Sequence, residues 1–227
     1  MNRHHKKYLD EVVTGIQSVS SVIPAQRALH KSGFSFTKEP FETQLEIWNH
    51  IWASSGYRVQ IHAFFFLERW LNRKDLLGTV WQTSVLWQED VDDWPLNDSF
   101  SKINTKALEL HPHQVYPQLV QWNQSGNLWK RRQSLVSLLY YSRTKKEFLP
   151  FHQIAVLVQP LLTDKEYYVQ KGVGWTLREM YNVYPEETYL FLTLHIKDIS
   201  AIAFTISIEK MDEVRKGELK RHRKQNR

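Results

Sequence analysis

Apolar residues recur at three- and four-residue spacing through most of this chain. Glu39 to Ala53 carries Phe41, Leu45, Trp48 and Trp52, and Tyr57 to Leu71 carries Val59, Ala63, Phe66 and Trp70. Lys74 to Trp87 continues the pattern with Leu77, Val80, Trp81, Ser84 and Leu86 or Trp87. Gln114 to Trp122, Leu128 to Tyr141, Phe148 to Leu162, Tyr167 to Tyr181 and Glu186 to His195 follow it as well. These stripes predict amphipathic helices and not period-two strands. Ile199 to Ile208 is rich in β-branched residues, the one strand-like stretch, and is assigned as a helix because its surroundings are helical. Tyr184-Pro185-Glu186-Glu187 places a proline at the first helical position and acids in the first turn, Thr163-Asp164 precedes another start, and Gln124 to Asn127 reads as a turn. Helices with short connections pack as antiparallel neighbours, so the expected class is all-α, a bundle or an α-solenoid of stacked helix pairs. No strict internal repeat and no low-complexity linker divides the chain. The expectation is a single domain over 1–214, followed by a basic end over 215–227.

Composition narrows the chemistry. A chain of 227 residues with 42% apolar content can bury a core without staples. It has no cysteine, which excludes disulfides, zinc-thiolate sites, cysteine-ligated clusters and a cysteine nucleophile. No apolar run approaches the roughly 18 residues of a membrane span. Met1 to Glu11 is basic and polar with no apolar stretch behind it, so a cytoplasmic protein without a secretory signal is expected. The net charge is +6, and Arg215 to Arg227 alone holds seven Lys/Arg against one Glu. The remaining body balances 23 basic against 23 acidic residues, so any polyanion it binds must meet a local patch. The basic end is expected to be solvated and frayed, with weak nucleic-acid binding as its alternative role.

Familiar catalytic motifs are missing. Lys171-Gly172-Val173-Gly174-Trp175 lacks phosphate-loop spacing, and its glycines fit close helix packing better. The ten histidines form no HExxH, His4-His5 and His111-Pro112-His113 lack carboxylates at ligand spacing, and no GxSxG occurs. Three blocks remain. In Asp90 to Ser99, a helix beginning near Pro95 puts Trp94 and Asp98 one turn apart on one face; a capping Asp93 or Asp98 and a core Trp94 would explain the same residues. In Asn127 to Leu135, Lys130, Arg131 and Arg132 stand at a helix start, against the macrodipole, where phosphate is a natural counter-charge and a surface charge run is the plainer reading. In Glu166 to Glu179, Trp175 lies among small residues with Lys171 and Arg178, a pattern that a packed core helix also produces.

In order and spacing these blocks resemble the AlkD-type DNA alkylation repair family, alkylpurine DNA glycosylases built of HEAT-like helix pairs stacked into a curved superhelix. The matching residues are Trp94 with Asp98, then Asn127, Trp129, Arg131 and Arg132, then Gln170, Lys171, Gly174, Trp175, Leu177, Arg178 and Glu179. The resemblance runs from about Tyr8 to Lys210. It implies a catalytic carboxylate at Asp98, lesion-facing tryptophans at Trp94 and Trp175, and a phosphate-contacting arginine at Arg132 with Arg131 as the fallback. Lys130 and Lys171 join them as DNA-binding candidates. Pro95 and the stretch Ala28-Leu29-His30-Lys31, where the family often has an aromatic, depart from its pattern, as does a longer spacing between Arg132 and Trp175.

The resemblance also implies the reaction. An N3- or N7-alkylated purine is a cationic leaving group, and its departure builds positive charge on the sugar, which a carboxylate stabilises while it positions water. No cofactor or metal is implied, the partner is duplex DNA, and the protein is expected to act as a monomer, in a nucleoid-associated setting, without an enclosing base-flipping pocket. A non-catalytic DNA-binding member of the same fold and a protein-interaction solenoid are the alternatives.

Overall fold

The computed structural model describes residues 3–226, and side chains from Lys6 onward. Among the described residues there are thirteen α-helices and no strand. The chain divides into two compact units, residues 1–89 and 90–227.

The first unit holds α1 (Arg3–Gln17), α2 (Ile23–Ser32), α3 (Phe41–Ala53), α4 (Tyr57–Arg69) and α5 (Leu77–Trp87). Every residue of α4 from Val59 to Leu67 is buried, and α1, α2 and α3 pack against this helix. Its neighbours explain why a helix buried on all sides is stable in water. The Trp52 and Trp87 rings stack at 4.6 Å, and Trp87 Nε1 donates to Asn49 at 2.9 Å, so Trp87 is the core residue while Leu86 is 70% exposed. His30 and His62 lie inside an aromatic cluster with Phe34, Trp48 and Phe65. His62 pairs with Gln26 at 2.8 Å. Burial pushes the His30 imidazole down to about 3, helped by His62, Arg69 and Arg27 and opposed by Glu68, and burial alone pushes His62 down to about 4.

The second unit holds α6 (Trp94–Leu110), α7 (Pro112–Asn123), α8 (Leu128–Val136), α9 (Phe151–Val158), α10 (Tyr167–Val183), α11 (Pro185–Leu194), α12 (Ala201–Ser207) and α13 (Glu213–Gln225). Alternate helices form one layer: α8 packs between α6 and α10, and α10 between α8 and α12. The intervening helices back them, α7 on α6 and α8, α9 on α8 and α10, and α11 on α10 and α13. Asp93, Asn127, Ser200 and Asp212 cap their helices through side-chain oxygens. A buried polar seam of Asn97, Ser101, Asn104, Gln133 and Ser137 joins α6 to α8 and fixes their register.

Three expectations change. The stripe from Leu128 does not run to Tyr141 as one helix: α8 ends at Val136, and the chain turns at Tyr141 with a left-handed backbone, φ 50°. The helix expected over Phe148 to Leu162 is trimmed by prolines, starting after Pro150 and ending before a 3-10 turn that contains Pro160. The basic end is not frayed. It forms α13, with Leu219 buried and the Arg223 guanidinium buried against the carbonyls of Ile196 (3.2 Å) and Ile199 (2.7 Å). The β-branched stretch is helical as expected, because the small side of α12 meets Gly174 of α10. A Cβ there would lie 2.8 Å from the Ala203 carbonyl and from Ile206 Cβ.

Gly174→Ala is therefore expected to lower stability by about 1–3 kcal/mol through overpacking. Gly78→Ala, where a Cβ meets nothing within 4 Å, is expected to raise it by up to about 1 kcal/mol. Thermal denaturation of the pair checks this, and equal melting points would refute the close approach. The two histidines give a pH dependence. Their folded-state values lie below the unfolded value of 6.5, so their stabilisation is complete above about 6.5 and is lost as pH falls towards 4 and 3. Amide protection factors in α2 to α4, taken relative to the intrinsic exchange rate at each pH, are expected to fall between pH 6.5 and 4, and to fall less in His30→Phe; unchanged protection factors would contradict it.

Candidate active site

Asp98 stands in the second turn of α6, one turn after Trp94. Asp93 Oδ1 accepts from Leu96 N at 2.9 Å and starts the helix, with Pro95 tolerated in its first turn. Asp93 is thus the cap, and Trp94 is not a core anchor: its side chain is 51% exposed beside the carboxylate. On α8, Asn127 Oδ1 accepts from Trp129 N at 2.8 Å and presents the basic run to α6 and α10.

Arg132 is the centre of the site. Its Nε donates to Asp98 Oδ1 and its Nη2 to Asp98 Oδ2, both at 2.8 Å, a bidentate pair. Its Nη1 donates to the Tyr168 carbonyl of α10 at 2.7 Å. The arginine side chain is 8% exposed and the aspartate 27%, so the guanidinium is sealed in while the carboxylate keeps an open edge. Gly172 makes room for it, since a Cβ there would lie 3.4 Å from Arg132 Cγ. The structure thus turns the arginine expected on a phosphate towards the carboxylate.

Arg131, the fallback, is also committed inside the fold. Its Nε and Nη2 reach Asp164, the closer at 2.7 Å, and its Nη1 reaches the carbonyls of Ser125 and Gly126. The counter-charges that offset three cations at a helix start are therefore Asp98 and Asp164. Lys130 and Lys171 are half-buried, and the Lys171 ammonium lies 5.5 Å from the Tyr167 ring centre.

Trp175 is half-buried one turn beyond Gly172 on α10. Its ring lies 5.9 Å from Tyr140 and under the Arg178 guanidinium at 5.8 Å. Trp94 and Asp98 stand one turn apart on α6, and Arg132 is paired with Asp98, whereas the contacts of Trp175 are with Tyr140 and Arg178. Trp129, which packs on Tyr168 at 5.1 Å, together with Tyr140 and the Tyr168 carbonyl, completes the surroundings. Residue spacing does not point to a backbone carbonyl or to a tyrosine beyond a helix end. Two cavities of this unit, about 530 Å³ beside Tyr167 and Asp198 and about 340 Å³ beside Lys145 and Phe148, are not lined by Asp98. An oriented carboxylate on an open surface, next to an exposed indole, can hold a cationic group and a water molecule.

A family model described as DNA alkylation repair enzyme matches residues 1–211. Among solved structures, the chain is similar to one described as "Predicted DNA alkylation repair enzyme from Enterococcus faecalis", with TM-score 0.65 and 18% identity over 85% of this chain and 87% of that one. It is also similar to AlkD2 from Streptococcus mutans, with TM-score 0.63 and 15% identity over 92% of this chain and 99% of that one. These likenesses show a shared helical-repeat fold. No curated protein sequence matches.

Arg132→Met leaves Asp98 and the Tyr168 carbonyl without their partner. Breaking a buried pair costs about 3–5 kcal/mol, and the open edge of Asp98 discounts this to about 1–3 kcal/mol. A melting point equal to that of the native chain would leave Arg132 with no role in holding the site.

Proposed function

This chain belongs to the DNA alkylation repair enzyme family, and from that premise we propose that it hydrolyses the N-glycosyl bond of cationic N3- and N7-alkylated purines in duplex DNA. The observation that carries the reading is the Asp98 carboxylate, clamped through both oxygens by Arg132 and open to solvent beside Trp94. In the reaction the C1′–N bond breaks and its electron pair neutralises the purine cation. Positive charge develops on the sugar, and water adds its oxygen to C1′ and loses a proton. Asp98 stabilises the sugar cation and orients that water, and its fixed position removes the reorganisation a free carboxylate would need. Trp94 and Trp175 flank the sugar and add a cation–π contribution of about 0.5–2 kcal/mol. Three of the five guanidinium N–H groups of Arg132 serve Asp98 and Tyr168, and with the side chain only 8% exposed its part in this reading is to hold the carboxylate. Lys130 and Lys171 add backbone charge. The open surface suits a leaving group that is already charged and gives no means of activating a neutral base.

The neutralising pair favours a second reading, a non-catalytic member that binds DNA, because a guanidinium on Asp98 weakens its attraction for a sugar cation. Release of free base from duplex DNA carrying N7-methylguanine or N3-methyladenine separates the two. The native chain is expected to release base, Asp98→Asn to lose about a hundredfold or more, and uracil to stay in place. Efficient uracil excision would refute the mechanism. Duplex binding without release would establish the second reading.

A further inference from the structure

Tyr141 is the one residue other than glycine with a left-handed backbone among the described residues, at φ 50° and ψ 61°. This conformation is disfavoured for a bulky side chain. Its ring is 61% exposed, so core burial does not offset the strain. The turn is held from the next residue. Ser142 N and Oγ donate to Glu179 Oε2 at 3.1 and 2.6 Å, and Ser142 and Glu179 are both buried. Asn182 Nδ2 reaches the same oxygen at 3.4 Å. The Tyr141 carbonyl accepts from Thr144 N and Oγ1, both at 2.9 Å. A buried carboxylate thus holds an aromatic ring out in solvent. The ring has a defined neighbourhood: it meets Tyr140 edge-on at 4.5 Å, and Tyr140 lies 5.9 Å from Trp175. Trp175 of α10 and Tyr140 and Tyr141 of the turn after α8 form a continuous aromatic run. Strain of this kind persists where the conformation serves recognition.

We infer that Tyr141 is a nucleotide-stacking residue that extends the Trp175 surface along the DNA, with Glu179 as its positioning residue. The inference rests on the reading of the chain as a DNA-acting protein. The base left unpaired opposite a lost purine offers a flat face to a tyrosine, and such a contact carries no sequence preference.

The test is binding of the full chain to a duplex with a single tetrahydrofuran abasic-site analogue, read by fluorescence anisotropy, with melting points of all variants. Tyr141→Ala is expected to weaken binding about tenfold, and Tyr141→Phe to stay within about twofold. Tyr141→Gly relaxes the backbone, so it is expected to melt higher than the native chain and still bind about tenfold more weakly. Glu179→Gln is expected to weaken binding in the native background and to add nothing in the Tyr141→Gly background. Native-like binding by Tyr141→Ala and Tyr141→Gly overturns the inference and leaves the proposed function standing. A loss in Tyr141→Phe equal to that in Tyr141→Ala overturns stacking, and a lower melting point for Tyr141→Gly overturns the strain. Equal Glu179→Gln effects in both backgrounds overturn the positioning role. A native chain that binds no duplex overturns the inference together with the proposed function.

Discussion

A guanidinium taken out of water must find partners for its charge and its donors, and Arg132 finds them on two other helices. Asp98 comes from α6 and the Tyr168 carbonyl from α10, while Arg132 itself stands on α8. The demand of one buried cation therefore sets the mutual placement of three helices. Two features make this possible. Gly172 leaves the space through which the side chain passes, and the polar seam between Asn97, Ser101, Asn104, Gln133 and Ser137 fixes how α6 slides along α8. An apolar interface would let the register drift by a turn; a seam of hydrogen-bonding groups would be left unsatisfied by such a slip.

The same logic explains the basic start of α8. Three consecutive cations there are unfavourable for the helix taken alone. In the fold, two of them serve as ties, Arg132 to α6 and α10, and Arg131 to Asp164 and to the turn before α8. Carboxylates from the chain supply the counter-charge for which phosphate is the natural external partner of the isolated motif. The pairing of Asp98 with Arg132 is therefore a property of the fold itself. Pre-positioning has an electrostatic consequence: the arginine that orients Asp98 also screens it, so the open edge of the carboxylate is where its charge is felt.

The two units are built on different principles. The first is packed around α4 with aromatic rings and two imidazoles kept neutral by burial. The second is a layered succession of helices with polar ties between α6, α8 and α10. Strain is also placed in the second unit, at Tyr141, where a buried carboxylate holds the backbone.

Helical class and most helix positions were legible because a 3.6-residue apolar stripe is a local property, readable from Phe41, Trp48 and Trp52 or from Leu77, Val80 and Trp81 alone. A cap at Asp93, one of two aspartates read for that role, the glycine approach at Gly174, and the neighbouring placement of Trp94 and Asp98 on one helix were legible for the same reason. Helix ends at Val136 and Val158 were not, because the apolar stripe continues past them while the chain turns. The order of the basic end was hidden as well: its composition reads as solvated, and only the carbonyls of Ile196 and Ile199, distant in sequence, make a buried Arg223 favourable. The pairing of Arg132 with a carboxylate of another helix, and the choice between core and surface for Trp94, were decided by tertiary structure. Both depend on which groups other helices bring to within hydrogen-bonding distance, and residue spacing along one helix carries no information about that.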